Sequence, residues 1–315
     1  MKVIASYNGQ FAAEKTFRLL ADGVDLPTAC VEGVVLVEDD PNELTVGYGG
    51  LPNAEGIVEL DAAVMDGRTH RAGGVAALKN IRNPSRVALR VLQKTHRVLL
   101  AGEGALAFAL AEGFAEENLL TEKARKIWEH WRQTKQADWR PSAEAQLDPD
   151  VAAYIATHSE RPWGTVHLAA IDAQGDVACV TSTSGHAFKP PGRVGDSPIA
   201  GAGLYADNAA GTCGSLGHGE SNLQNCSSFL AVELMRGGMA PLEAGLEALR
   251  RIALHAPPGE RDATGRVKID VRLYLLAADG RHAGVSLQPG NRMAIVDEAG
   301  TRLEPCAALH EHRSP

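Results

Sequence analysis

Cysteine is sparse in this chain of 315 residues: only Cys30, Cys179, Cys213, Cys226 and Cys306 are present, widely spaced and odd in number. No CxxC pair occurs, so neither a zinc site nor a disulfide framework is indicated, and buried inert thiols are the plain reading. No His pair has HExxH spacing, and no GxSxG elbow is present, so metal-assisted hydrolysis and the serine-hydrolase elbow both lack their motif. Uninterrupted apolar runs stay well short of the ~18 residues that a membrane span needs. Basic stripes are missing too. With a net charge of -8 the chain has nothing to neutralise phosphates, which argues against a nucleic-acid partner. The opening MKVIASYNGQ has too short an apolar run for a signal-peptide core, and a cytoplasmic location is the default expectation. The stretch Gly201 to Gly211, GAGLYADNAAG, lacks the full GxGxxG pattern and the long helix of a dinucleotide site.

What remains is ordinary for a soluble globular protein: 44% apolar and 22% charged residues, in a length that suits one large domain or two smaller ones. The first part reads as helical. Phe11 to Leu20 and Ala29 to Val37 carry apolar residues near helical spacing, with Gly23 as a C-cap. Ile57 to Met65 reads as a buried strand. Asn83 and Pro84 look like the N-cap and first residue of a helix over Ser85 to Gln93, and helical patterns follow at Ala105 to Glu112 and Thr121 to Trp131. The interval 134–163 is rich in Asp, Glu, Pro, Gln and Ala, with Trp139 and Val151 to Ile155 as its apolar anchors, and reads as a mobile linker.

At Thr165 the period switches to two. Val166, Leu168 and Ala170 face one way, and Thr165, His167 and Ala169 the other. Asp172 to Asp176 is a turn and Val177 to Thr183 the return strand. Centring the turn on Gln174 sets Thr165 directly opposite Thr183 at the open end of a hairpin. Pro190 to Ser221 reads as a Gly-rich loop region. Phe229 to Met235 and Leu242 to Ile252 read as helices, Val267 to Leu276 and Ala283 to Leu287 as a second hairpin, and Met293 to Val296 as a last strand. No repeat of 20–50 residues is found. Helices, strands, helices and strands in this order predict an α+β layered architecture.

Two spots carry chemistry. In GRVGDSP, Arg193 and Asp196 could hold opposite ends of an amino acid, the guanidinium gripping a carboxylate and the Asp accepting from an ammonium. Taken alone, the pair reads first as a plain surface ion pair in a turn. At Gly164–Thr165, a threonine freed as an N-terminus would bring together a hydroxyl nucleophile and an α-amine of pKa about 7.7–8.0, suited to act as its base. Taken alone, it is a threonine at the start of a strand. His167, His186 and His218 take no role from spacing.

The combination is more specific than its parts. LDAAVMDG, GTVHLAAIDAQGDVACVTSTSG, GRVGDSPIAGAGLYADN and GSLGHGE follow one another in order, with VGYGG before them, NIRNPSRVA between and VELMRGG behind. This resembles the glycosylasparaginase (aspartylglucosaminidase) family of Thr-dependent asparaginases over nearly the whole chain. The resemblance implies a four-layer αββα sandwich of the N-terminal nucleophile hydrolase type. It implies self-cleavage between Gly164 and Thr165 into an α part, 1–164, and a β part, 165–315. Thr165 would be the nucleophile and Thr183 would tune it by hydrogen bonding. Arg193 would hold the substrate α-carboxylate and Asp196 its α-ammonium, while Gly217 would offer its amide to the oxyanion and its carbonyl to the ammonium. The substrate would be N4-(β-N-acetylglucosaminyl)-L-asparagine, released as L-aspartate with no cofactor and no metal, by a homodimer of αβ units.

Three departures from the family pattern stand out. Leu216 replaces the Thr that usually precedes the oxyanion-hole Gly, Gly164 replaces the usual Asp before the nucleophile, and His167 replaces the small Gly two residues after it. Gly164 is more typical of the L-asparaginase and isoaspartyl-peptidase branch, which is the alternative substrate class. Leu216 and His167 motivate a further alternative, a catalytically impaired family member.

Overall fold

The structure is a computed structural model that describes residues 1–134, 148–158 and 164–310. Two β-sheets form its frame. The larger contains β1 (Lys2–Ser6), β2 (Leu60–Asp66), β3 (Arg71–Leu78), β4 (Leu99–Ala101), β5 (Val166–Ile171), β6 (Val177–Thr183), β11 (Arg292–Asp297) and β12 (Gly300–Pro305), in the order β12-β11-β1-β5-β6-β2-β3-β4. The smaller contains β7 (Leu204–Asp207), β8 (Gly211–Gly217), β9 (Val271–Ala277), β10 (His282–Ser286) and β13 (Ala307–Ala308), in the order β13-β10-β9-β8-β7.

Alternation along each strand sends apolar side chains to two faces, and each face finds its own partner. On the larger sheet, Val64, Val166, Leu168 and Val180 pack with residues of α1 (Gln10–Ala21), α2 (Leu26–Glu38), α3 (Pro84–Lys94) and α4 (Gly102–Ala111). The other face sends Ile4, Met65, Ala169 and Cys179 against Leu204, Leu216, Tyr274 and Leu276 of the smaller sheet. The far face of that smaller sheet, through Cys213, Leu273, Leu275 and Val285, packs on α8 (Ser227–Arg236) and α9 (Pro241–His255), which the short α7 (Gly219–Asn225) precedes. A separate cluster joins α5 (Glu122–Thr134) to α6 (Pro149–His158) through Ile127, Val151 and Tyr154, with Phe188 beside them.

The mixed α+β expectation holds, and the helices lie close to where the periodicity puts them. Four strand readings need correction. The first strand, β1, precedes the helices. Its hydrogen bonds run to β5 and β11, a non-local pairing that a five-residue run does not announce. The segment over β3, RAGGVAAL, was not anticipated as a strand. The Gly-rich region Pro190 to Ser221 contains the β7–β8 hairpin rather than being all loop. Met293 to Val296 is followed by β12 and β13 rather than being last. Of the interval 134–163, residues 135–147 and 159–163 lie outside the described residues, so the linker expectation is untested there; 149–158 is the helix α6.

One buried carboxylate sits between layers. Glu38 at the end of α2 is fully buried and accepts hydrogen bonds from Ser182 Oγ (2.7 Å), Ser85 Oγ (2.9 Å) and Ser85 N (3.1 Å). Burial pushes its carboxyl up to about 7 against those hydrogen bonds.

Candidate active site

The β5–β6 hairpin has the register its turn predicts. Val166 pairs with Ser182 and His167 with Thr181, which brings Thr165 and Thr183 level one step further on. Thr165 Oγ1 lies 3.2 Å from Thr183 Oγ1. The Thr183 hydroxyl has a single proton, and its shortest acceptor is the carbonyl oxygen of Gly164 at 2.6 Å, against 3.4 Å to that of Thr45. Its lone pairs receive the Gly185 amide at 2.9 Å and the Thr165 hydroxyl. Thr183 therefore bridges the Thr165 hydroxyl and the carbonyl immediately before it.

Thr165 is held from behind as well. Asn8 Nδ2 reaches the Thr165 carbonyl (3.4 Å) and one oxygen of Glu43 (3.3 Å). The other Glu43 oxygen takes the Thr45 hydroxyl at 2.5 Å and its amide at 3.1 Å. Thr45 stands directly against Gly164. A Cβ at 164 would lie 2.2 Å from Thr45 Oγ1 and 2.7 Å from its Cβ, so this junction is fitted to glycine.

Thr165, Thr183, Arg193, Asp196, Gly217 and Gly164, the residues singled out in the sequence, all line one cavity, together with His186, Ser197, His218 and Glu220. The space, including its mouth, is about 350 Å3. Asp196 sits at its base, buried. Its Oδ2 accepts from Ser215 Oγ (2.6 Å) and Asn222 Nδ2 (2.9 Å), and burial raises its carboxyl above the usual range despite them. Arg193 presents Nε (3.0 Å) and Nη2 (2.7 Å) to one oxygen of Glu220. Burial opposes ionisation of Glu220, but Arg193 outweighs it and holds the carboxyl below its ordinary value. Side-on, the Arg193 fork is thus occupied by a protein carboxylate.

Gly217 ends β8 with φ +102°, where an added Cβ would meet the Asp270 carbonyl at 2.1 Å; His218 N donates to that same carbonyl at 2.9 Å. Only glycine makes this bend without strain. Leu216, by contrast, turns its side chain into the apolar layer between the sheets and is 3% exposed. His218 Nδ1 is 2.8 Å from Ser221 Oγ, and its Nε2 is 3.4 Å from Glu260. His186 Nδ1 lies 3.0 Å from the Ala187 carbonyl, and burial lowers its pKa. Among the described residues no group of His, Cys, Asp and Glu is placed to hold a metal ion.

His167 is not a titratable neighbour of the cavity. It is fully buried between the sheets, with Nδ1 2.9 Å from Thr181 Oγ1 and its ring stacked near Tyr274 at 6.4 Å between centroids. Burial lowers its pKa to about 3, so the imidazole is neutral at physiological pH. Its ring lies over Gly214, whose absent side chain makes the room: a Cβ there would lie 2.0–2.3 Å from three ring atoms. The bulk at 167 is matched by its absence at 214.

Sequence reasoning did not single out Glu220, Ser215, Asn222, Asn8, Glu43 or Thr45. Glu220 was visible as the last residue of GHGE. Ser215 lies in the same GSLGHGE motif, whereas Asn222, Asn8, Glu43 and Thr45 lie outside the quoted motifs and no spacing marks them.

The chain is similar over most of its length to known proteins. The family profile described as Asparaginase matches residues 7–267. A protein of Elizabethkingia miricola named N(4)-(Beta-N-acetylglucosaminyl)-L-asparaginase is 39% identical over 303 residues, covering 96% of this chain and 83% of its own length. The Mus musculus protein of the same name is 35% identical over 274 residues, 81% of this chain and 78% of its own. A Drosophila melanogaster relative is 39% identical over 248 residues, 72% of this chain and 62% of its own.

Proposed function

Because the chain belongs to the asparaginase family, we propose that it is a self-processing amidohydrolase that uses Thr165 to cleave the side-chain amide of N4-(β-N-acetylglucosaminyl)-L-asparagine. The observation that carries this reading is the run of contacts from Thr165 through Thr183 to the Gly164 carbonyl, set in the same cavity as Arg193 and Asp196. The relatives' names supply the substrate.

The hydroxyl contacts of Thr165 and Thr183 support self-cleavage by the following route. Thr165 Oγ adds to the Gly164 carbonyl carbon. Its proton passes to Thr183 Oγ as the Thr183 proton passes to the carbonyl oxygen, so no separate charge develops and no carboxylate at position 164 is needed. Collapse re-forms the carbonyl and breaks the C–N bond, and the hydroxyl proton moves to the leaving nitrogen. Water then hydrolyses the ester, leaving the Gly164 carboxylate and a free Thr165 amine. In turnover that amine takes the Thr165 hydroxyl proton while Oγ attacks the substrate amide carbon. Arg193 and Asp196 fix the α-carboxylate and α-ammonium, and the Gly217 amide faces the oxyanion. The protonated amine leaves, and water releases L-aspartate from the β-aspartyl ester.

A four-layer αββα sandwich of the N-terminal nucleophile type, with 1–164 and 165–315 as its two parts in a homodimer of αβ units, belongs to the same proposal. The three apolar clusters that join helices to sheet, sheet to sheet and sheet to helices support the layering. A second reading, L-asparaginase or isoaspartyl peptidase, is favoured by Gly164. The test is the mass of the purified chain, together with turnover of glycosylasparagine, L-asparagine and a β-aspartyl dipeptide. A fragment beginning at Thr165 and turnover of the first are expected. An intact 33.3 kDa chain with no turnover would overturn the reading.

A further inference from the structure

An arginine can grip an oxygen anion on its side edge, Nε with Nη2, or on its end edge, Nη1 with Nη2. In Arg193 the side edge is taken: Nε at 3.0 Å and Nη2 at 2.7 Å converge on Oε1 of Glu220. Among the described residues no acceptor takes Nη1. The end edge lies among three glycines that line the cavity. A Cβ on Gly195 would lie 3.0 Å from Nη1 and 3.4 Å from both Cζ and Nη2, so the flat guanidinium rests against that backbone. The φ of Gly195 is not in the left-handed region, so it is the room that requires glycine there. A Cβ on Gly185 would lie 3.4 Å from Nη1. One on Gly219 would lie 3.2 Å from Nη2 and 2.9 Å from Asp196 Oδ1. Nη2 and the Asp196 carboxylate thus approach the same glycine, an arrangement suited to the two charged groups carried by one α-carbon.

Glu220 is the second residue of α7, just beyond Gly217. Its side chain is 49% exposed, and an ion pair so open adds little to the stability of the fold. Its second oxygen stands 4.0 Å from His218 Nε2, too far for a hydrogen bond, so the contact with Arg193 is the close one. What the pair fixes is the guanidinium. Arginine carries several rotatable bonds, and immobilising such a side chain on binding can cost about tenfold in affinity. A carboxylate that competed with the substrate would cover the end edge. Glu220 leaves that edge open.

We propose that Glu220 is a positioning residue for substrate recognition: it holds the side edge of Arg193 so that the end edge meets the α-carboxylate already aligned, beside Asp196. The inference rests on the hydrolase reading above and deepens it. Removing the Glu220 carboxylate leaves the Arg193 charge in place but lets the fork wander. The loss therefore falls on binding of the α-carboxylate and spares the attack by Thr165.

The test measures kcat and KM of Glu220→Ala and Glu220→Gln on the amide that the wild type turns over best. Calorimetry adds the Kd of L-aspartate and of its α-amide, in which the α-carboxylate is neutralised, and thermal melting checks that each variant is folded. Glu220→Ala should raise KM and the Kd of L-aspartate by about tenfold, with kcat and the Kd of the α-amide moving by less than about twofold. Glu220→Gln, which keeps an oxygen for Nε and Nη2, should fall between. An unchanged KM, a lowered KM, or an equal loss for L-aspartate and its α-amide would each overturn the positioning role. A wild type that binds L-aspartate but turns over no amide removes the hydrolase reading alone, and the ratio of the two Kd values still decides for or against Glu220. A wild type that neither binds nor turns over removes both.

Discussion

Adding one methyl group at Gly214 should destabilise the protein, because the space it needs is filled by His167. The new Cβ would sit 2.0, 2.1 and 2.3 Å from Nδ1, Cε1 and Cγ of the imidazole, where ordinary contact is 3.4–4 Å. The φ at Gly214 is not in the left-handed region, so the effect is steric. The ring cannot easily retreat, since Thr181 holds Nδ1 and Tyr274 stacks nearby in a fully buried layer. Overpacking of this kind costs about 2–3 kcal/mol. With an unfolding entropy of roughly 2.1 cal/mol/K per residue, this corresponds to a Tm lower by about 3–5 °C for 315 residues. The measurement is calorimetric melting, done in a Thr165→Ala background so that every variant is one uncut chain. His167→Ala should relieve the clash, giving a coupling of at least about 1 kcal/mol in the double-mutant cycle. An unchanged Tm for Gly214→Ala, or strict additivity of the two substitutions, would refute the packing argument.

Thr165→Ala should leave a single chain and no amide turnover, read by mass and product release. Thr183→Val removes the hydroxyl that bridges Thr165 to the Gly164 carbonyl and should slow self-cleavage by about 10²–10³, whereas Thr183→Ser should restore it; a fully cleaved Thr183→Val chain would count against the relay. Asp196 must be charged to hold an ammonium, and burial raises its pKa, so KM should climb as pH falls through that raised value. Asp196→Asn should lose binding without losing stability. Glu38 carries a pKa raised to about 7, so its contribution to stability is fully present below its unfolded value and is lost as pH rises towards 7, by on the order of 3 kcal/mol. Urea midpoints of the Glu38→Gln variant should lack that decline relative to the parent.

The sequence announces the site better than the sheets around it. Thr165 opposite Thr183 follows from strict alternation and a turn whose Gly175 supplies φ +85°. Arg193 and Asp196 were ambiguous until Thr165 and Gly217 stood in the same cavity. Two of the strands that escaped notice, β3 and β8, carry glycine where packing leaves no room for a side chain. In β3, a Cβ on Gly73 would meet the Ala88 carbonyl at 2.3 Å and the Leu92 amide at 2.4 Å, because α3 lies directly on that backbone. In β8, Gly211, Gly214 and Gly217 yield to Leu276, His167 and Asp270. Close approach erases the propensity signal that marks a strand. Likewise, Ser215 and Asn222 behind Asp196, and Glu43 and Thr45 behind Gly164, have meaning only once distant segments are brought together.

Severing the backbone between Gly164 and Thr165 would not yield two bodies free to part. Strands from before the cut alternate with strands from after it: β1 is wedged between β11 and β5, and β2 lies beside β6. Three ladders, β1–β5, β1–β11 and β2–β6, would still cross from one piece to the other. Drawing the pieces apart would strip both long edges of β1 at once and leave β6 bare on its β2 side. The halves should melt together in one transition, and halves made separately should gain their shape only by folding around each other.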